Sequence, residues 1–132
     1  MKILIALLLM PMAAFAADWV PIGGTQGSKI EIDRQSVRPN KAAWFKHIKT
    51  PAVSESCAGT GEKIGQLLVY IEANCKEFTY RTKQSIAYAE DGSMLGPCGY
   101  NDPKSEFIEY APETTGELFF RAICDPQGED GE

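Results

Sequence analysis

The 132-residue chain contains a single histidine, His47. A histidine-based nucleophile system or metal site needs further ligands or catalytic groups, for which a single histidine gives no motif, and the nearby Lys46 and Lys49 disfavour a bound cation. His47 therefore reads as a surface or half-buried strand residue. No two of the four cysteines have the Cys-x-x-Cys spacing of a redox enzyme. No run resembles a twelve-residue calcium loop, and Gly23-Gly24 lacks the strand-to-helix setting of a phosphate cradle. Eighteen acidic residues are scattered through loops and turns, so no carboxylate pair for acid–base chemistry stands out. These shortages argue against an enzyme, and neither a cofactor nor a metal is implied.

Positive charge is also scarce. Thirteen Lys and Arg against eighteen Asp and Glu give a net charge of −5. Such a surface argues against nucleic acid, whose phosphates demand a basic patch, and against adsorption to anionic lipid. Lys29, Arg34, Arg38, Lys41, Lys46 and Lys49 share one stretch, which reads as the solvated face of strands and turns.

The apolar run at the start, Ile3 to Met10, falls short of the roughly 20 residues a membrane-spanning helix needs. With Lys2 before it and Ala14-Phe15-Ala16 after it, it reads as a secretory signal peptide over residues 1–16, cleaved on export. No cysteine follows the cleavage point, so no lipid anchor is expected and the mature chain carries no stable membrane anchor. Removal leaves 116 residues with a net charge of −6. This is enough for one domain, 17–126, followed by a flexible acidic tail, 127–132.

Export changes the meaning of the cysteines. In an oxidising compartment Cys57, Cys75, Cys98 and Cys124 are expected to form disulfides, for which three pairings exist. Cys57 and Cys98 lie in loop compositions, Cys75 ends a strand-like run, and Cys124 ends a helix-like one. Pairing like with like gives Cys57–Cys98 and Cys75–Cys124.

Several segments alternate as strands do. Trp19 to Ile22 opens, Ser28 to Asp33 places Ile30 and Ile32 on one face, and Ala42 to Lys49 follows. Pro51 to Gly65 reads as a loop. Leu67, Val69, Ile71, Ala73 and Cys75 share one parity. After a tight bend at Lys76-Glu77, Phe78, Tyr80, Ile86 and Tyr88 share another, as in two long antiparallel strands. The last element is a helix. Thr114-x-x-Glu117 has capping-box form, although Gly116 is a poor helix former. Leu118, Phe119, Phe120, Ala122, Ile123 and Cys124 cover most of its circumference, leaving Glu117 and Arg121 as a polar edge.

Together these pieces resemble the surface-adhesin protein E family of Gram-negative bacteria. The resemblance is carried by Trp19-Val20, by Ile30-Glu31-Ile32-Asp33-Arg34-Gln35-Ser36-Val37-Arg38, and by Trp44 in a strand. It continues through Ile71-Glu72-Ala73-Asn74-Cys75-Lys76-Glu77-Phe78-Thr79-Tyr80-Arg81 and the segment from Pro112 to Cys124. The resemblance implies an α+β fold: a curved antiparallel sheet of five to six strands with one C-terminal helix packed on it. It also implies a non-enzymatic adhesin, in the periplasm or on the outer surface, that binds a protein ligand, either a host matrix or plasma protein or a component of the envelope, and that is able to form a homodimer. The helix's wide apolar arc has two readings. Phe119, Phe120 and Ile123 form an interface, or the two long loops cover them within the protomer. A different function is also compatible with a small acidic disulfide-stapled domain: inhibition of an exported hydrolase such as a lysozyme or protease.

Overall fold

Polar–apolar alternation with short turns produces an antiparallel meander. The structure is a computed structural model and describes residues 16–54, 63–98 and 106–125. The expected signal segment, apart from Ala16, and the acidic tail lie outside the described residues, as does Cys57. Six strands follow one another in space as in sequence: β1 (Trp19–Thr25), β2 (Ser28–Asp33), β3 (Ala42–Ser54), β4 (Lys63–Asn74), β5 (Thr79–Ala89) and β6 (Met94–Pro97). A two-residue strand, β7 (Ile108–Glu109), pairs with the start of β5, and the helix α1 (Thr115–Cys124) closes the described chain.

The helix takes one face of the sheet. Ile30 and Ile32 of β2, Ala43 and Phe45 of β3, and Ile71 of β4 meet Phe119 and Ile123 in the main core. The Phe45 and Phe119 rings stand 4.6 Å apart in a tilted pair. Burying such a ring is worth on the order of 1.5–3 kcal/mol. A smaller cluster on the same face, Ile64, Ala87 and Cys98, lies toward the other end of the sheet with Leu67 and Leu95 against it.

The disulfide Cys75–Cys124 joins the turn after β4 to the last residue of α1, with Cα atoms 5.6 Å apart. Close by, the Asn40 N–H donates to the Ile123 carbonyl at 3.1 Å, so the helix end is held by the β2–β3 connection as well. Cys98 is also disulfide-bonded. At the same end of the strands, buried Asp33 accepts from the N–H groups of Asp18 at 2.9 Å and Gln35 at 3.0 Å. That carboxylate fixes the start of β1 and caps the short 3-10 turn Arg34–Ser36. Pro21 sits in β1, the outermost strand, where a missing N–H costs no ladder bond and discourages edge pairing.

Four local expectations need correction. The third strand does not stop at Lys49; it runs to Ser54 and pairs again with β4 at Val53–Ile64. The first strand continues through Gly23 and Gly24 to Thr25, with a register shift between Pro21 and Gly23. In β5, Gln84 pairs with Tyr70 but Thr82 pairs with Ile71, so Lys83 is an extra residue. Such a bulge reverses the alternation. Tyr80 and Thr82 face the helix side together with Ser85 and Ala87, while Ile86 and Tyr88 face away. Finally, Thr114 precedes the helix without capping it: its hydroxyl donates to the Ala111 carbonyl at 2.6 Å. Glu117 reaches back one residue further than expected, to the Glu113 N–H at 2.6 Å.

Candidate functional site

Where the helix leaves the sheet uncovered, a groove opens between α1 and the β1–β2 hairpin. Its volume is about 630 Å³. The hairpin supplies Gly23, Gly24, Thr25 and Ser28, and Ile30 forms part of the floor. The first turns of α1 supply Thr114, Thr115, Glu117, Leu118 and Arg121, and Glu113 stands at the entrance.

Gly23 allows this approach. A Cβ at that position would come within 3.0 Å of Leu118 Cδ1, so the absent side chain lets Leu118 lie across β1. Ser28 Oγ and His47 Nε2 are 2.5 Å apart, which ties the polar wall of the groove to β3. The opposite wall carries a fixed ion pair. Arg121 Nε donates to Glu117 Oε1 at 2.9 Å, one helical turn away. The Glu113 N–H and then the Arg121 guanidinium hold the Glu117 carboxyl below the usual glutamate range. Glu117 in turn pushes Arg121 above its ordinary value. The groove therefore offers an apolar floor, hydroxyl-bearing walls and a rim with one carboxylate, Glu113, in excess. Among the described residues no group of three or more His, Cys, Asp or Glu gathers to hold a metal.

The residues singled out as a candidate interface lie elsewhere. Phe119, Phe120 and Ile123 are all buried within the protomer. Phe119 enters the core against Phe45. Phe120 is covered by Tyr110, with ring centroids 4.8 Å apart, and by Phe78 at 6.0 Å. Phe78 itself is 61% exposed and carries the solvent-facing apolar surface at that end of the molecule. As a groove these residues were not legible in the sequence, where Glu117 and Arg121 read only as the polar edge of the helix and Gly23-Gly24 only as lacking the setting of a phosphate cradle. Their one visible signal is the run of small polar residues from Gly23 to Ser28 directly before a clean strand.

An open antiparallel meander with one helix stapled across a single face defines the class: a small α+β domain whose concavity lies between helix and sheet edge. Residues 19–125 match the family model of surface-adhesin protein E, and the chain belongs to that family. Its structure is similar to the crystal structure of protein E from non-typeable Haemophilus influenzae. The TM-score is 0.52 at 17% identity, over 92% of this chain and 84% of that one, a likeness of fold. No curated protein sequence matches the chain. Family membership makes this an adhesin-type surface protein, among exported proteins. No helix among the described residues is long and apolar enough to cross a membrane.

Proposed function

We propose that the protein is a non-enzymatic exported adhesin that recognises a protein ligand through the groove between α1 and the β1–β2 hairpin. The observation that carries this reading is the chemistry of the groove. Ile30 and Leu118 suit an apolar anchor, and Glu113 and Glu117 against the lone Arg121 suit a basic side chain beside it. The occupant is thus a protein segment that presents an apolar residue next to Lys or Arg. Glu117 and Arg121 already satisfy each other, so they position a ligand rather than transform one. Matrix or plasma proteins of a host are the class that family membership favours.

The test is equilibrium binding of the oxidised mature protein to purified extracellular-matrix and plasma proteins. Saturable binding that weakens when Glu113 is changed to Lys supports the reading. Binding to none of them above an unrelated disulfide-bonded control domain contradicts it.

A further inference from the structure

Met94 is the only methionine left once residues 1–16 are removed, since the other three are Met1, Met10 and Met12. It is 65% exposed, although methionine ordinarily fills gaps in a core. Among the described residues no cysteine is free: Cys75 and Cys124 are bonded to each other, and Cys98 is disulfide-bonded as well. With thiols spent in this way, the thioether is the side-chain group that a peroxide oxidises most readily.

The strand that carries Met94 explains why its sulfur stays in water. In register with β5, β6 sets Met94 opposite Tyr88, Gly96 opposite Ala87 and Pro97 opposite Ile86. The register shifts between Ala87 and Tyr88, which leaves Leu95 as the extra residue. Leu95 packs on the cluster of Ile64, Ala87 and Cys98, so the core at this edge takes its apolar side chain from the next position. Met94 shares the face of Tyr88, which is turned away from the helix.

The backbone on either side of Met94 is fixed by other groups. Before it, the Ser93 carbonyl accepts from the Ala89 N–H at 2.8 Å. The Asp91 carboxylate accepts from the Ser93 N–H at 2.9 Å and from its hydroxyl at 2.6 Å. After it, buried Cys98 donates its N–H to the Ser85 carbonyl at 2.9 Å. None of these contacts uses the Met94 side chain. Oxygen added to the sulfur therefore meets solvent, whereas at a buried methionine it would place a strong acceptor among apolar groups. The groove is also remote, because β1 and β6 are the two ends of the strand order.

We propose that Met94 is an oxidative modification site, at which the protein consumes a peroxide without losing its fold. The sulfur lone pair attacks one oxygen of hydrogen peroxide, and the S–O bond forms as the O–O bond breaks. Sulfur loses two electrons and the peroxide gains them. The departing hydroxide takes the proton of the transferred oxygen and leaves as water. The product is methionine sulfoxide, and no acid or base of the protein is required. The site does not depend on the protein-binding reading of the groove.

The test exposes the disulfide-bonded mature protein, beginning after residue 16, to hydrogen peroxide. Oxygen uptake is followed by peptide mass spectrometry, with N-acetylmethionine amide as the free reference. Met94 is expected to gain one oxygen before any other residue, at a rate within about fivefold of the reference. The separated sulfoxide form is expected to keep the urea midpoint and slope of the untreated protein. Met94→Leu keeps an apolar side chain of similar size and is expected to take up no oxygen over the same exposure. Oxidation of a tryptophan or tyrosine ahead of Met94 overturns the proposal. So does a slower rate at Met94, a lower urea midpoint for the sulfoxide form, or oxygen uptake by Met94→Leu equal to that of wild type.

Discussion

The Tyr80 phenol occupies the space in which a side chain at Gly116 would stand. A Cβ built there comes within 2.6 Å of the Tyr80 hydroxyl oxygen and 2.8 Å of the ring carbon that bears it. Gly116 is the second residue of α1 and is buried, so the helix crosses β5 at the distance its missing side chain permits. The glycine that weakens the helix as a sequence pattern is the one that lets it dock. Gly116→Ala gains about 1 kcal/mol of helix propensity but forces overpacking that typically costs 1–3 kcal/mol. A lower urea midpoint with unchanged slope is the expected result, read by equilibrium denaturation.

Loss of the Cys75–Cys124 bridge should be felt more strongly. The bond closes a span of 49 residues, for which chain-entropy reasoning gives about 4 kcal/mol. The variant in which both cysteines become serine is expected to unfold at markedly lower urea and to fray first at the end of α1. Hydrogen exchange of the Asp125 N–H, bonded to the Arg121 carbonyl, reports that fraying.

Phe120→Asp tests where the apolar arc of the helix is spent. Phe120 is 5% exposed, between Tyr110 and Phe78, so the substitution places a charge in an apolar site. The expected outcome is a destabilised protomer by urea titration, with sedimentation at native conditions showing no assembly split by the change. A fully stable protomer released from a larger species would instead return Phe120 to an interface.

Glu117 gives the groove a defined pH response. Its carboxyl is held below the ordinary glutamate value, first by the Glu113 N–H and then by Arg121. The unfolded chain therefore binds the proton at higher pH than the folded one does. The contribution is present in full above the ordinary glutamate pKa and is lost as pH falls through the depressed folded value. The stability difference between wild type and Glu117→Gln should hold constant at neutral pH and shrink on acidification through that window. Because the group is at the surface, the change is small and is also reduced by salt.

Much of this fold is legible in the residues. Strict alternation in Ser28–Asp33 and in Leu67–Ala73 identifies both strands and the face they bury. The bend near Lys76-Glu77 and the helix ending at Cys124 place two cysteines where a bridge forms. The Lys83 bulge was not legible, because Arg81 to Gln84 is polar throughout and gives no apolar phase to follow. The extension of β3 past Pro51 was hidden by a proline and by loop-like neighbours. Helical periodicity shows how wide the apolar arc of α1 is but not what covers it. Tyr110 and Phe78, which cover Phe120, come from separate segments. The groove was hidden for the same reason: Gly23 and Leu118 are distant in sequence and meet only when the helix docks.

The most direct test of the groove as the ligand site compares wild type with Thr25→Trp in binding to the purified matrix or plasma protein that wild type binds most tightly. Thr25 is exposed at the hairpin wall, so the added indole fills the groove without entering the core. The predicted result is at least a tenfold rise in Kd with an unchanged urea midpoint. Equal affinity for both proteins would contradict the account and move protein recognition off the groove.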